Sequence, residues 1–145
     1  GWAAGHLEKM AATENRAFNH NAAAIIFDQA IRELMVLVRA HGGTEQSVWG
    51  MPGAGDLYVT CQAGRNSRLG NNLGRGLTYQ QTKDGPMKGD TIEGAELGVT
   101  VAATLRAMMQ AGTLDTKALP LTSALLDALT NDSALNIPWA AFHRM

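Results

Sequence analysis

The stretch NAAAIIFDQAIRELMVLVR, residues 21–39, decides the fold. Ala24, Ile25, Ile31, Leu34, Met35 and Val38 recur at helical spacings and trace one face of a helix. Gly42 and Gly43 end it, because glycine tolerates the left-handed conformation that closes a helix. Reading outward, Thr44-Glu45-Gln46-Ser47 is the opening of a short helix with Thr44 as its N-cap. Thr78 caps another, which Lys83-Asp84-Gly85-Pro86 breaks. Thr91 caps a longer helix from Ile92 to Gln110, rich in alanine and methionine and ended by Gly112. Pro120 suits the first turn of a helix through Leu129, and a last short one begins at Pro138. Leu57-Tyr58-Val59-Thr60-Cys61 is ambiguous, since its residue types also suit a strand. No other strand alternation, repeat or linker appears. The expected fold class is all-α, a compact multi-helix bundle of six to eight helices, with Met35, Met108 and Met109 filling core gaps.

Composition narrows the function classes. The chain has 145 residues, 46% hydrophobic and 17% charged, which suits one domain with a core of its own. Net charge is -1 and no basic stripe runs along the chain, so nucleic-acid binding is not expected, while a local site for one phosphate stays open. The single cysteine, Cys61, has no disulfide partner and reads as a small buried apolar residue. The four histidines are scattered, so no metal site is expected. No apolar run is long enough for a membrane span, and Glu8 and Lys9 interrupt any signal peptide. A cytoplasmic location follows as an expectation. The chain opens at Gly1-Trp2 without an initiator methionine, as though cut from a longer protein.

The chemistry concentrates in GAGDLYVTCQAGRNSRLGNNLGRG, residues 53–76. A helix-interior glycine costs up to about 1 kcal/mol relative to alanine, so this many point to close backbone approach, by a ligand or by another helix. Gly64-Arg65-Asn66 precedes a helix containing Leu69 and Leu73. Unpaired N–H groups at a helix start suit a phosphate, and Arg65 adds forked hydrogen bonding. The local pattern equally fits a surface arginine with Asn66 as an N-cap. Asp56 fits either a carboxylate that orients a catalytic amine or binds a hydroxyl, or a cap on a helix starting at Leu57. Glu93, in Ile92-Glu93-Gly94, fits a helix start, with ligand contact as the alternative. Gly53-Ala54-Gly55 is no dinucleotide fingerprint, because it lacks the preceding strand and a third correctly spaced glycine.

Taken together, GAGDLYVTC at 53–61 and GRNSRLGNNLGRG at 64–76 resemble the signature of NAD(P)-dependent glycerol-3-phosphate dehydrogenases. Ile92-Glu93-Gly94, Asn21-Ala22-Ala23-Ala24-Ile25 and Leu119-Pro120-Leu121-Thr122 are similar to further elements of that family, and all occur in family order. The resemblance implies that residues 1–145 are the helical substrate-binding domain of a two-domain enzyme. The fold would be like the C-terminal domain of 6-phosphogluconate-dehydrogenase-type enzymes, with the N-terminal Rossmann domain absent. It further implies interconversion of dihydroxyacetone phosphate and sn-glycerol 3-phosphate with NAD or NADP, supplying glycerol 3-phosphate for phospholipid synthesis. Asp56 and Thr60 would line the reacting end of the site as catalytic residues, Asp56 also contacting substrate and positioning a proton-donating lysine. Gly64, Arg65 and Asn66 would bind the substrate phosphate, and Arg65 and Glu93 would contact the cofactor.

Two departures go with the resemblance. Gly64 stands where the family has serine. The family's lysine precedes the stretch matching Gly1–Gly5, and Lys9, Lys83, Lys88 and Lys117 do not match it, so the chain alone is expected to be inactive. Homodimerisation of the piece is a further expectation, driven by apolar surface that the other half would cover. The alternative to an enzyme domain is a non-catalytic helical binding or dimerisation module of the same fold. A related dehydrogenase acting on another sugar phosphate or acid is a nearer alternative.

Overall fold

The computed structural model describes residues 1–14 and 20–142, which form eight α-helices with no strand among them. They are α1 (Trp2–Glu14), α2 (His20–Ala40), α3 (Glu45–Trp49), α4 (Asp56–Gln62), α5 (Arg65–Gly74), α6 (Tyr79–Asp84), α7 (Glu93–Gln110) and α8 (Pro120–Thr130). A π-helical turn, Met51–Gly55, feeds α4, and short 3-10 turns lie at Thr116–Ala118 and Trp139–Ala141. The all-α expectation holds.

The core sits where α5, α7, α8 and the chain after α8 meet. Leu69 and Leu73 from α5 pack with Ile92, Ala95, Leu121 and Ala128, and Leu135, Ile137 and Phe142 close over them. Fully burying a leucine or isoleucine side chain contributes about 1.5–3 kcal/mol, so this cluster carries much of the folding free energy. Trp2 ties α1 to the same region. Its indole N–H donates to the Leu135 carbonyl at 3.3 Å, and its ring meets Trp139 edge-on at 6.0 Å.

Helices α1 and α5 touch backbone to backbone. A Cβ on Gly5 would lie 1.8 Å from the Asn71 carbonyl oxygen, and one on Gly74 would lie 2.1 Å from that of Trp2. Gly1 and Gly70 face each other in the same seam. Two of the six glycines in residues 53–76, Gly70 and Gly74, are therefore explained by another helix rather than by a ligand.

Several end signals stand where expected. Gly42 has φ +79°, and the Gly43 N–H returns to the Val38 carbonyl at 2.9 Å to close α2. Thr78 caps α6 through a reciprocal pair of bonds with Gln81. Pro120 occupies the first turn of α8, and Pro138 precedes the last 3-10 turn.

Residues 57–61, open between strand and helix by residue type, are helical; in an all-helical domain a lone strand would find no ladder partner for its backbone. Other expectations need correction. Thr91 lies outside α7, whose N-cap is Ile92, and the Ile92 N–H is satisfied by the Glu96 carboxylate at 3.3 Å. Thr44 holds the cap position of α3 without a side-chain bond, and the Ser47 hydroxyl donates to its carbonyl instead. Ala24 and Ile25 are exposed; the buried residues of α2 are Gln29 and Glu33 on one side of the helix and Ile31 on the other. Met35, Met108 and Met109 are half-buried, and Met87 is the methionine sealed in the core. Cys61 is exposed rather than buried.

Candidate functional site

The helices α4, α5 and α7 converge end to end. The chain leaves α4 at Gln62, turns through Ala63 and Gly64, and starts α5 at Arg65. Gly64 has φ +103° and ψ 178°, a conformation that glycine adopts freely and a serine would adopt only under strain. The turn brings the first residues of α5 over the start of α7. Between them lies a cleft of about 210 Å³ lined by Thr60, Ala63, Gly64, Arg65, Asn66 and Glu93. Five of the six site residues expected from the sequence thus share one cleft. The sixth, Asp56, is one turn before Thr60 on α4 and so lies on the same side of that helix. It is exposed, and its carboxylate has no hydrogen-bond partner among the described residues.

The cleft is rich in donors. The backbone N–H groups of Arg65, Asn66 and Ser67, in the first turn of α5, have no acceptor among the described residues. Such groups carry the positive end of the helix dipole. An Arg65 Nη2 donates to Glu93 Oε1 at 3.2 Å, leaving the other guanidinium N–H groups available. The Gly94 N–H donates to Asn66 Oδ1 at 3.2 Å. Both contacts join α5 to α7 across 28 residues of chain. Asn66 is therefore no N-cap: Gly64 holds that position. Glu93 is the first residue of α7, yet its carboxylate turns to Arg65. A set of backbone, guanidinium and amide donors around a small cleft suits a phosphate group.

A second depression, about 960 Å³, runs between α1, α2, α4 and α5 and shares Ala63 and Gly64 with the cleft. Trp2, Phe27, Leu57 and Tyr58 give it apolar walls, with Arg68 and Asn71 at its polar end. Cys61 lies on its margin, where desolvation pushes the thiol above its ordinary value although the residue remains exposed. Sequence reading missed this groove, because its walls come from four helices with no shared motif. It also missed the part played by Gly94, whose bonding partner is too distant along the chain to be read locally.

No group of three or more His, Cys, Asp or Glu side chains that could hold a metal occurs among the described residues. No helix among them is long and apolar enough to cross a membrane.

Fold and cleft define an all-α domain with a small, donor-lined cleft between the ends of three helices. Residues 3–137 match the family model for the NAD-dependent glycerol-3-phosphate dehydrogenase C-terminus. The chain belongs to that family. It is 33% identical over 121 residues to the glycerol-3-phosphate dehydrogenase [NAD(P)+] of Bacillus cytotoxicus, covering 82% of this chain and 33% of the relative. Over 79 residues it is 40% identical to the enzyme of the same name from Onion yellows phytoplasma, covering 53% and 23% of the two chains. The NADP(+)-dependent glycerol-3-phosphate dehydrogenase of Archaeoglobus fulgidus is 38% identical over 64 residues, covering 44% and 19%. The chain thus spans about a third or less of the length of these curated relatives. No solved structure matches it.

Proposed function

We propose that this chain is the substrate-binding domain of an enzyme that interconverts dihydroxyacetone phosphate and sn-glycerol 3-phosphate with NAD(H) or NADP(H). The observation that carries the reading is the cleft of Thr60, Gly64, Arg65, Asn66 and Glu93 with its unpartnered donors. Its volume of about 210 Å³ suits a three-carbon phosphate and is too small for a dinucleotide. The residues here would therefore touch only the edge of a cofactor, through Arg65 and Glu93 at the cleft margin. When bound, the nicotinamide supplies or accepts the hydride.

The rest of the work falls to the chain's own groups. Arg65, Asn66 and the first N–H groups of α5 hold the phosphate and so fix the distance of the reacting carbon. Asp56 and Thr60, one turn apart on α4, face the other end of the substrate. Gly1 packs against the Ser67 carbonyl in the first turn of α5. A lysine a few residues ahead of Gly1 in the intact enzyme would thus enter beside the cleft. The Asp56 carboxylate, free of other partners, would orient that ammonium for proton transfer to the alkoxide.

The enzyme would be cytoplasmic and would supply glycerol 3-phosphate for phospholipid synthesis. Trp49, Met51, Tyr58 and Val59 are exposed apolar side chains on consecutive elements, which favours pairing of the isolated piece. Sedimentation of the 145-residue chain tests this, and a strictly monomeric chain at high concentration would exclude it.

The test of function is NADH or NADPH oxidation with dihydroxyacetone phosphate, run on the intact enzyme and on this chain in parallel. Activity is expected in the intact enzyme alone. Arg65→Ala in that enzyme should raise KM for dihydroxyacetone phosphate about 10- to 100-fold, as a charged hydrogen bond is removed. An unchanged KM and kcat would refute the assignment of the cleft.

A further inference from the structure

We propose that Gly94 is a positioning residue for the anion cleft: its N–H and its missing side chain together aim the Asn66 amide at the substrate phosphate. This rests on the reading of the cleft as the phosphate site.

The chemistry of an amide fixes the direction. A backbone N–H only donates, so the Asn66 atom facing Gly94 at 3.2 Å must be Oδ1. The Nδ2 group is then held on the opposite branch, with no partner of its own among the described residues, on a side chain that lines the cleft. An asparagine without this bond would be free to rotate its amide and present an oxygen to a phosphate, which repels it.

Space makes the same demand. A Cβ at position 94 would lie 2.7 Å from Asn66 Oδ1 and 2.9 Å from both Cγ and Nδ2. Any side chain there displaces the whole amide. Gly94 is also a poor choice for a helix: it is the second residue of α7, where alanine would favour the helix. A purely structural account therefore predicts that Gly94→Ala is neutral or stabilising for α7. The positioning account predicts a loss confined to phosphate recognition. The neighbouring Arg65–Glu93 contact ties the same two turns together, but both side chains are well exposed, so it adds less.

The experiment compares the intact enzyme with its Gly94→Ala and Arg65→Ala variants. Three constants are read: KM for dihydroxyacetone phosphate, the inhibition constant of inorganic phosphate, and KM for the dinucleotide. For Gly94→Ala the first two should rise together by about tenfold, with the third unchanged. Unchanged phosphate inhibition in Gly94→Ala, alongside a rise in Arg65→Ala, overturns the positioning role and leaves the cleft assignment intact. No rise in Arg65→Ala overturns the cleft assignment itself. Should Gly94→Ala fail to fold, the unaltered protein supplies the answer by NMR. Inorganic phosphate should shift the Asn66 Nδ2 proton resonances while the Gly94 amide proton keeps its hydrogen-bonded position. Asn66 Nδ2 resonances that ignore phosphate would overturn the proposal.

Discussion

Glu33 is 2% exposed and ends among donors. Its Oε1 accepts from the Leu121 N–H at 2.7 Å and from Gln29 Nε2 at 2.8 Å, and its Oε2 accepts from the Thr122 N–H at 2.6 Å. A carboxylate from α2 thus caps α8, whose own N-cap, Leu119, has no side-chain acceptor to offer. Glu33→Gln would keep the shape but set an amide N–H₂ against at least one backbone N–H. Losing a buried charged hydrogen bond and orphaning a donor should destabilise the chain by about 2–3 kcal/mol, read as a lower urea midpoint. A variant as stable as the parent would show that α8 needs no such cap. Neither this cap nor the Asn66–Gly94 bond was legible in the sequence, because each partner lies on another helix, 88 and 28 residues away. What was legible were residue types whose spacing matched a known pattern: Arg65, Asn66, Thr60 and Glu93 do share a cleft.

Among the elements, the helix ends marked by glycine and proline read correctly, since those residues act through their own backbone. The Leu57–Cys61 segment stayed ambiguous, because valine, tyrosine and threonine suit strands only when a sheet exists to receive them. The glycine-rich stretch divides in two for a similar reason. Gly64 serves the turn at the cleft, whereas Gly70 and Gly74 serve the seam with α1. Local composition cannot separate the two uses. Substitution can: Gly5→Ala puts a methyl 1.8 Å from a backbone oxygen, so α1 and α5 must part. The expected loss is about 3 kcal/mol or more, beyond the usual cost of overpacking because the obstacle is backbone. Gly98→Ala is the contrasting case. Its Cβ would meet the end of the flexible Leu129 side chain at 2.9 Å, and the helix gains up to about 1 kcal/mol in propensity. Thermal unfolding should place Gly98→Ala near the parent and Gly5→Ala far below; equal midpoints would mean that α1 is not seated on α5 in solution.

For the whole molecule, the seating of α1 also depends on charge. Arg75 on the C-terminal edge of α5 donates to the Glu8 carboxylate of α1, and Asn71 Nδ2 donates to Glu8 Oε1 at 3.4 Å. The Arg75 hydrogen bond holds the Glu8 carboxyl below its ordinary value, with desolvation opposing and Asn71 assisting. A depressed folded-state value means that the unfolded chain binds the proton more readily. The contribution is therefore complete above the ordinary glutamate value, about pH 4.3, and is lost as pH falls through the lower folded-state value. The pair is exposed, so its size is no more than about 1 kcal/mol, further reduced by salt. Because α1 also carries Trp2 onto the core, loosening that edge is felt across the domain rather than at one turn. In urea unfolding, Arg75→Ala should be the less stable protein at pH 7 and should converge on the parent at pH 3. NMR titration of Glu8 should show its pKa returning towards the ordinary value in the variant. A stability difference that stays constant between the two pH values would assign the effect of Arg75 to packing of its aliphatic stem, not to its charge.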